Sequence, residues 1–214
     1  IADRSIERAQ NAIKKIDDDR FDATDVNAAE LEDVRELIRD TKPDVVINAV
    51  DPRYVMPIFL ACEIENTNYM DMAMSLSRPH PKYPHKEVGV KLGDEQFARD
   101  WNWQERNIWA VVGIGIEPGL SDVLAKYADE ELFSKIDSIT VLDGSNLVID
   151  GDSFAPSFSI WTTIEECLNP PLVWEDGKGW FTTKPFSEPE VFDFPEGIGP
   201  VECVNVEHEE VVLI

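Results

Sequence analysis

The order of apolar and polar positions in the first 112 residues alternates between helical and extended patterns. After a strand end at Asp3, the residues Ile6, Ala9 and Ile13 lie on one helical face. The unbroken apolar run at 45–50 is typical of a buried parallel strand. The other predicted elements are a short strand near Phe21, helices at 28–40, 55–65 and 94–106, strands at 69–72 and 108–112, and a proline-rich loop at 75–91. Strands that alternate with helices predict an α/β fold with a parallel, doubly wound sheet.

The pattern changes after Gly119. A helix is predicted at 120–131, a strand at 136–142 and a helix at 159–168, followed by short strands that Pro and Gly residues separate. This order is typical of an α+β domain with a mixed or antiparallel sheet. We therefore predict two domains, at residues 1–115 and 116–214.

The two ends of the chain carry a further prediction. Ile1 has the pattern of a strand end, and the apolar residues 211–214 have the pattern of a strand that stops in the middle. We expect a fragment whose first strand and glycine-rich loop lie upstream of Ile1, and whose second domain continues after Ile214.

Composition and charge narrow the class of protein. The 214 residues are 43% apolar, enough to bury a core, and no run approaches the roughly 18 apolar residues of a membrane span. Because the chain starts without a signal-peptide pattern, it is predicted to be soluble and cytoplasmic. A net charge of −24 without a cluster of Lys and Arg argues against nucleic acid as a partner. The spacing of Cys62, Cys167 and Cys203 indicates neither a disulfide framework nor a metal site.

Asp3 and Arg4 are the first candidates for contact with a nucleotide. In a dinucleotide-binding sheet, a carboxylate that ends the second strand accepts hydrogen bonds from both adenosine ribose hydroxyls. Asp3 fits that position and favours NAD, whereas Arg4 fits a 2′-phosphate and favours NADP. The alternative for Asp3 is a purely structural role at the start of a helix.

Two later strand ends support a nucleotide site, because ligands of open α/β sheets lie outside the carboxyl ends of the strands. Asp25 and Val26 follow one strand, where an adenine edge would lie. The next strand is followed by Asn48, Ala49, Val50 and Pro52. Small residues there would let the nicotinamide ribose approach the backbone. Structural alternatives are a helix cap for Asp25 and a turn former for Asn48.

A glycine-rich segment at 113–119 looks superficially like a nucleotide loop, since it follows a predicted strand and precedes a helix. Its GxGxxxG spacing differs from that of a dinucleotide-binding loop. Glu117 would place an anion beside the pyrophosphate, and Pro118 lacks a backbone donor. We interpret the segment as a tight connection between the two domains.

Several short motifs occur together in a specific order. They are Ala2-Asp3-Arg4-Ser5, Asn48-Ala49-Val50-x-Pro52, Tyr69-x-Asp71, Gly115-Ile116-Glu117-Pro118-Gly119-Leu120, and Gly197-Ile198-Gly199-Pro200 with His208-Glu209-Glu210. In this combination the chain resembles the saccharopine dehydrogenase-like family over essentially its whole length. That group includes saccharopine reductases, lysine 6-dehydrogenases and carboxynorspermidine synthases.

The resemblance implies a Rossmann domain joined to an α/β catalytic domain. It also implies NAD or NADP as the cofactor and an amino-acid or polyamine substrate that passes through an imine. The chain lacks a basic cluster for a substrate with several carboxylates, so a diamine-derived or mono-amino-acid substrate fits its acidic balance better than saccharopine does. We expect a homodimer.

Hydride transfer at a C–N centre needs an acid or base for the amine proton. Among the family-like positions, His208 is the first candidate, because an unperturbed histidine pKa near 6.5 suits work around neutrality. Glu209, Tyr69 and Asp71 are the other candidates for proton chemistry. The alternative for His208 is a strand histidine that faces solvent.

The predicted helix at 159–168 carries candidates for substrate binding, because the corresponding helix of the family faces the substrate cleft. Trp161 would pack on the substrate, and Glu165 or Glu166 would meet its ammonium group. Glu117 is a further candidate. The alternative for Trp161 is packing in the core.

Two other functional classes stay open. A protein of this kind could bind a dinucleotide as a sensor or scaffold, without chemistry. A short-chain-type reductase is disfavoured, because the residues four positions after Tyr69 and Tyr83 are Ala73 and Glu87 instead of lysine.

Overall fold

The computed structural model describes residues 1–16, 18–150 and 159–214, and the chain divides into two units. The first unit comprises Ile1–Asp71 and Glu95–Val112, and the second comprises Met72–Asp94 and Gly113–Ile214. The grouping of residues 72–94 with the second half of the chain has no counterpart in the sequence prediction.

Parallel strands and connecting helices occupy the first 111 residues. The elements are β1 (Ala2–Asp3), α1 (Ile6–Ile16), β2 (Thr24–Asp25), α2 (Leu31–Thr41), β3 (Val45–Asn48), α3 (Val55–Glu65), β4 (Asn68–Asp71), α4 (Asp94–Phe97), α5 (Asp100–Glu105) and β5 (Ala110–Val111). β1 pairs with β2, and β3, β4 and β5 form a separate sheet in that order. All three pairings are parallel, which confirms the predicted α/β class.

Two local predictions in this half are wrong. The strand predicted near Phe21 begins three residues later, at Thr24, which pairs with Ala2. The single helix predicted at 94–106 is broken between α4 and α5. Arg99 lies in the break and donates from Nη2 to Oε1 of the buried Glu63, at 2.9 Å.

The core of the first unit lies between α2, α3, α5 and one face of the β3–β4–β5 sheet. Its buried residues are Val34, Ile38, Ile58, Phe59, Ala61, Cys62, Tyr69 and Trp103. The Phe59 ring lies between those of Trp103 and Tyr69, with centroids 4.7 and 5.2 Å away. Burial raises the pKa of the Cys62 thiol to about 12, which makes this buried cysteine a poor nucleophile.

The second unit combines helices with antiparallel hairpins. Its labelled elements are α6 (Leu120–Tyr127), which a π-helical turn at Ala128–Leu132 continues, α7 (Ile160–Leu168), β6 (Leu172–Glu175), β7 (Gly179–Thr182), β8 (Glu190–Phe194), β9 (Gly199–Cys203) and α8 (Glu210–Leu213). β6 pairs with β7 and β8 pairs with β9, both antiparallel. The predicted antiparallel character is therefore present, as two separate hairpins.

Two strand predictions in the second half are wrong. Residues 136–142 pair with no strand in the described part of the chain, and an alternating pattern without a partner strand does not form a ladder. The apolar residues 211–214 belong to α8 and its end instead of a strand, since a short apolar run is compatible with either element. His208 consequently lies in a loop before a helix.

None of the helices in the described residues combines the length and the apolar composition that a bilayer-spanning segment requires.

Two tryptophans of α5 give a matched test of the core. Trp103 is 3% exposed and Trp101 is 68% exposed. We expect Trp103→Ala to lower the free energy of unfolding by about 3–5 kcal/mol, because it leaves a cavity beside Phe59. Trp101→Ala should change it by less than about 0.5 kcal/mol. Urea unfolding followed by circular dichroism measures both, and equal effects would contradict this packing.

Candidate functional site

The ends of β1 and β2 bring two predicted nucleotide contacts together. Asp3 lies directly opposite Asp25 in the parallel register, and the backbone N–H of Val26 donates to the carbonyl of Asp3 at 3.1 Å. Oδ1 of Asp3 accepts a hydrogen bond from the N–H of Ser5 at 2.8 Å, so Asp3 does help to start α1. Asp25 and Arg4 are exposed at this edge.

The end of β3 is a hydrogen-bonded turn. Asn48 is buried, and its Oδ1 accepts from the N–H of Val50 at 3.1 Å, so the turn-forming role is observed. Ala49 and Val50 are exposed, and Pro52 begins a single 3₁₀ turn at Pro52–Tyr54. The carboxyl edge of β3 therefore presents small and apolar groups on a fixed backbone.

Tyr69 and Asp71 lie inside the first unit, at the end of β4. The Tyr69 hydroxyl accepts from Nδ2 of Asn48 at 2.8 Å and donates to Oδ2 of Asp71 at 2.9 Å. Nε2 of Gln96 donates to the same Asp71 oxygen at 2.8 Å. Tyr69 is 0% exposed and Asp71 is 1% exposed. Burial, together with the charge of Asp71, raises the pKa of Tyr69 far above its usual value. Their placement therefore gives no support to the predicted catalytic roles.

Backbone donors in and directly after the glycine-rich segment 113–119 form hydrogen bonds within the chain. The N–H of Gly115 donates to the carbonyl of Pro118 at 2.6 Å, and the N–H of Leu120 donates to the carbonyl of Gly115 at 3.0 Å. Gly119 has a φ of 127°, and a Cβ there would lie 2.5 Å from the backbone of Gly115. The N–H groups of Gly115 and Gly119 are therefore already used within the chain, whereas a pyrophosphate site needs a row of available N–H groups.

His208 lies among three carboxylates of the second unit. Its Nδ1 is hydrogen-bonded to Oε2 of Glu210 and lies 3.5 Å from Oε2 of Glu209. Its Nε2 lies 3.8 Å from Oε1 of Glu166, on α7. The His208 side chain is only 28% exposed, so the alternative of a solvent-facing strand histidine is wrong.

The carboxylates change the proton affinity of this cluster. Burial alone would lower the pKa of His208, but the hydrogen bond to Glu210 and the neighbouring negative charges outweigh burial and raise it to about 9. Burial raises the pKa of Glu166 to about 7 and also raises that of Glu209. For Glu210, burial is outweighed by the hydrogen bond to His208, which lowers the pKa. The cluster therefore holds exchangeable protons near neutral pH, as acid–base catalysis requires.

The predicted substrate contacts are distributed unevenly around this cluster. Glu117 is partly buried, and its pKa is raised by burial and by the charges of nearby acids, while the His208 charge opposes the rise. Glu165 accepts a hydrogen bond from Asn169 at 3.2 Å. Its neighbour Glu166, the other glutamate predicted to meet the substrate, is the one that lies beside His208. Trp161 is 49% exposed, so packing in the core is not its role.

The sequence pointed to Glu209 as a candidate for proton chemistry but gave no role to Glu210. Both are buried beside His208, where they determine its proton affinity. The sequence shows the run His208-Glu209-Glu210, but it was predicted to lead into a strand at 211–214. In an extended chain, successive side chains point to opposite faces, so the three side chains were not expected to meet.

The chain is similar to known proteins over nearly its whole length. Residues 1–111 match the family described as the saccharopine dehydrogenase NADP-binding domain. Carboxynorspermidine synthase of Vibrio cholerae is 30% identical over 218 residues, which cover 98% of this chain and 51% of that protein. The Vibrio alginolyticus enzyme of the same name is also 30% identical, with coverages of 99% and 51%. Carboxyaminopropylagmatine dehydrogenase of Synechocystis sp. is 24% identical, with coverages of 98% and 50%.

A solved structure is similar in fold. Apo saccharopine dehydrogenase (L-Glu forming) of Saccharomyces cerevisiae superposes with a TM-score of 0.60 at 16% identity, over 96% of this chain and 43% of that one. The chain thus spans about half the length of the curated relatives that it matches.

The raised pKa of His208 predicts how stability depends on pH. A group whose pKa rises on folding stabilises the fold fully below its unfolded pKa, here 6.5, and loses that contribution as the pH rises through the folded value of about 9. We therefore expect the melting temperature to fall as the pH rises through 9, and His208→Gln to reduce that fall. His85→Gln, at an exposed histidine, is the control and should keep it. Identical profiles for all three proteins would contradict the buried ion cluster.

Proposed function

The chain belongs to the saccharopine dehydrogenase family through its NADP-binding domain, and on that basis we propose that it is an NAD(P)-dependent oxidoreductase acting on a C–N centre of an amino-acid or polyamine precursor. The sequence-based resemblance and the predicted NAD(P) cofactor class are confirmed by this membership. The observation that carries the proposal is near-complete alignment of the chain with three relatives, each named for a carboxylated amine.

We propose that the first unit holds the dinucleotide at the ends of its parallel strands. Asp3, Arg4, Asp25 and Val26 would contact the adenosine half, and the turn from Asn48 to Pro52, which includes Ala49 and Val50, would face the nicotinamide ribose. These residues fit the group, because the carboxyl ends of open parallel sheets are where such ligands bind. When bound, the dihydronicotinamide supplies the hydride that reduces an imine carbon.

The second unit would handle the proton and the substrate. Reduction of an imine adds a hydride to carbon and a proton to nitrogen, and His208 is the group we assign to that proton because its imidazole is held in place and protonated near neutral pH. The acidic surroundings suit a substrate that carries ammonium groups. Glu117, Trp161 and Glu165 stay predicted substrate contacts, and a cytoplasmic homodimer also stays a prediction.

The nicotinamide absorbance band tests the proposal in the full-length protein. Lysine, saccharopine and diamine precursors, the last with a carbonyl partner, should be assayed with both cofactors. We expect turnover with at least one of them and a loss of about 10²–10⁴-fold in kcat for His208→Gln. Cofactor binding without turnover of any substrate would favour a sensor and overturn the proposal. Unchanged turnover in His208→Gln would remove His208 from the mechanism.

Arg4 allows a test of cofactor choice. If its guanidinium binds a 2′-phosphate, Arg4→Ala should raise KM for NADP by about tenfold or more and leave KM for NAD within about twofold, because an interaction of this kind is worth about 1.5–3 kcal/mol. Arg8→Ala, at an exposed arginine one turn along α1, is the matched control. Steady-state kinetics with each cofactor measures the difference, and equal effects on both would exclude the role.

A further inference from the structure

One carboxylate of the second unit is held from two sides, by a neighbouring histidine and by a serine from a distant part of the chain. Oε2 of Glu210, the first residue of α8, is hydrogen-bonded to Nδ1 of His208. Oε1 of Glu210 lies 3.2 Å from the hydroxyl oxygen of Ser121, 89 residues earlier on α6. That hydroxyl also lies 3.3 Å from the carbonyl of Ile116. The Glu210 side chain is 7% exposed, so it is fixed by packing as well as by hydrogen bonds.

The two nitrogens of His208 are therefore unequal. A carboxylate accepts and does not donate, so the hydrogen bond to Glu210 requires a proton on Nδ1. In the neutral ring, Nε2 is then the unprotonated atom. Nε2 points to the side of Glu166, whose Oε1 at 3.8 Å is within ion-pair range but beyond direct hydrogen bonding.

We propose that Glu210 is a positioning residue, which fixes the His208 ring with Nδ1–H inward and leaves Nε2 as the atom that gives and takes the substrate proton. The transfer of this proton to a substrate rests on the proposed function, whereas the orientation of the His208 ring does not. Exchange of the proton at Nε2 alternates His208 between the imidazolium and the Nδ1–H neutral form, and the substrate nitrogen gains or loses the same proton.

Glu209 is the competing partner for Nδ1, at 3.5 Å. Burial raises the pKa of Glu209, whereas the pKa of Glu210 is lowered by the hydrogen bond to His208 despite burial. Of these two carboxyl groups, Glu210 is therefore the one whose surroundings favour the anion. The other titratable groups whose charges act on this cluster are Glu117, just before α6, Asp122 of α6, Asp143, and Glu166 of α7.

Nitrogen-15 NMR of the imidazole rings tests the orientation in the full-length protein, with the His208 signals assigned from their loss in His208→Gln. Above its pKa, neutral His208 should be the Nδ1–H tautomer. In Glu210→Gln the pKa of His208 should fall from about 9 towards 6.5, and in Glu209→Gln it should fall less. An Nε2–H tautomer in the unaltered protein would overturn the proposal even if no variant folds. An unchanged pKa in Glu210→Gln would also overturn it.

Kinetics separates this proposal from the proposed function. Glu210→Gln should lower kcat by about 10²-fold, because a displaced catalytic group costs about that much, with a smaller change in KM. The alkaline limb of the kcat profile should move to lower pH together with the NMR pKa, and Glu210→Asp should restore part of both. The predicted tautomer in a protein without turnover would contradict the proposed function alone. Turnover that keeps its pH profile in Glu210→Gln would contradict the positioning role alone.

Discussion

The hydroxyl of Tyr69 joins the apolar core of the first unit to the polar ends of its strands. Its ring packs against Phe59 and Trp103, while its oxygen accepts a hydrogen bond from Asn48 and donates one to Asp71. Buried polar groups destabilise a fold unless they are hydrogen-bonded. β3 and β4 must therefore keep the register that sets Asn48 opposite Asp71, and the turn after β3 takes its position from that register.

The second unit meets a further requirement, because it gathers several titratable side chains into one largely buried cluster. An imidazolium offsets part of the negative charge of Glu166, Glu209 and Glu210, and each carboxylate in turn favours the proton on His208. Groups coupled in this way titrate together, so a change at one residue alters the proton affinity of the others. Such coupling is common where a protein does acid–base chemistry.

Sequence patterns were most informative where an element is long or strongly apolar. The bounds of α3 agree with the predicted helix at 55–65, and the alternation of helices with apolar runs gave the parallel α/β class. Short patterns failed at 136–142 and 211–214, because the choice between strand and coil or helix depends on partners far away in the chain. The burial of Tyr69 and Asp71 could not be predicted from their residue types, because burial is a property of the folded core.

The separation of β1–β2 from β3–β4–β5 affects how residues 1–214 behave when they are prepared alone. Among the described strands, β1 and β3 each have one neighbour, and Ile47 in β3 is 62% exposed. An apolar strand with unpaired backbone groups is a template for a strand of another molecule. We therefore expect residues 1–214 to aggregate through the edge of β3. A strand that pairs with this edge, from the same chain or as an added peptide, should keep the protein soluble.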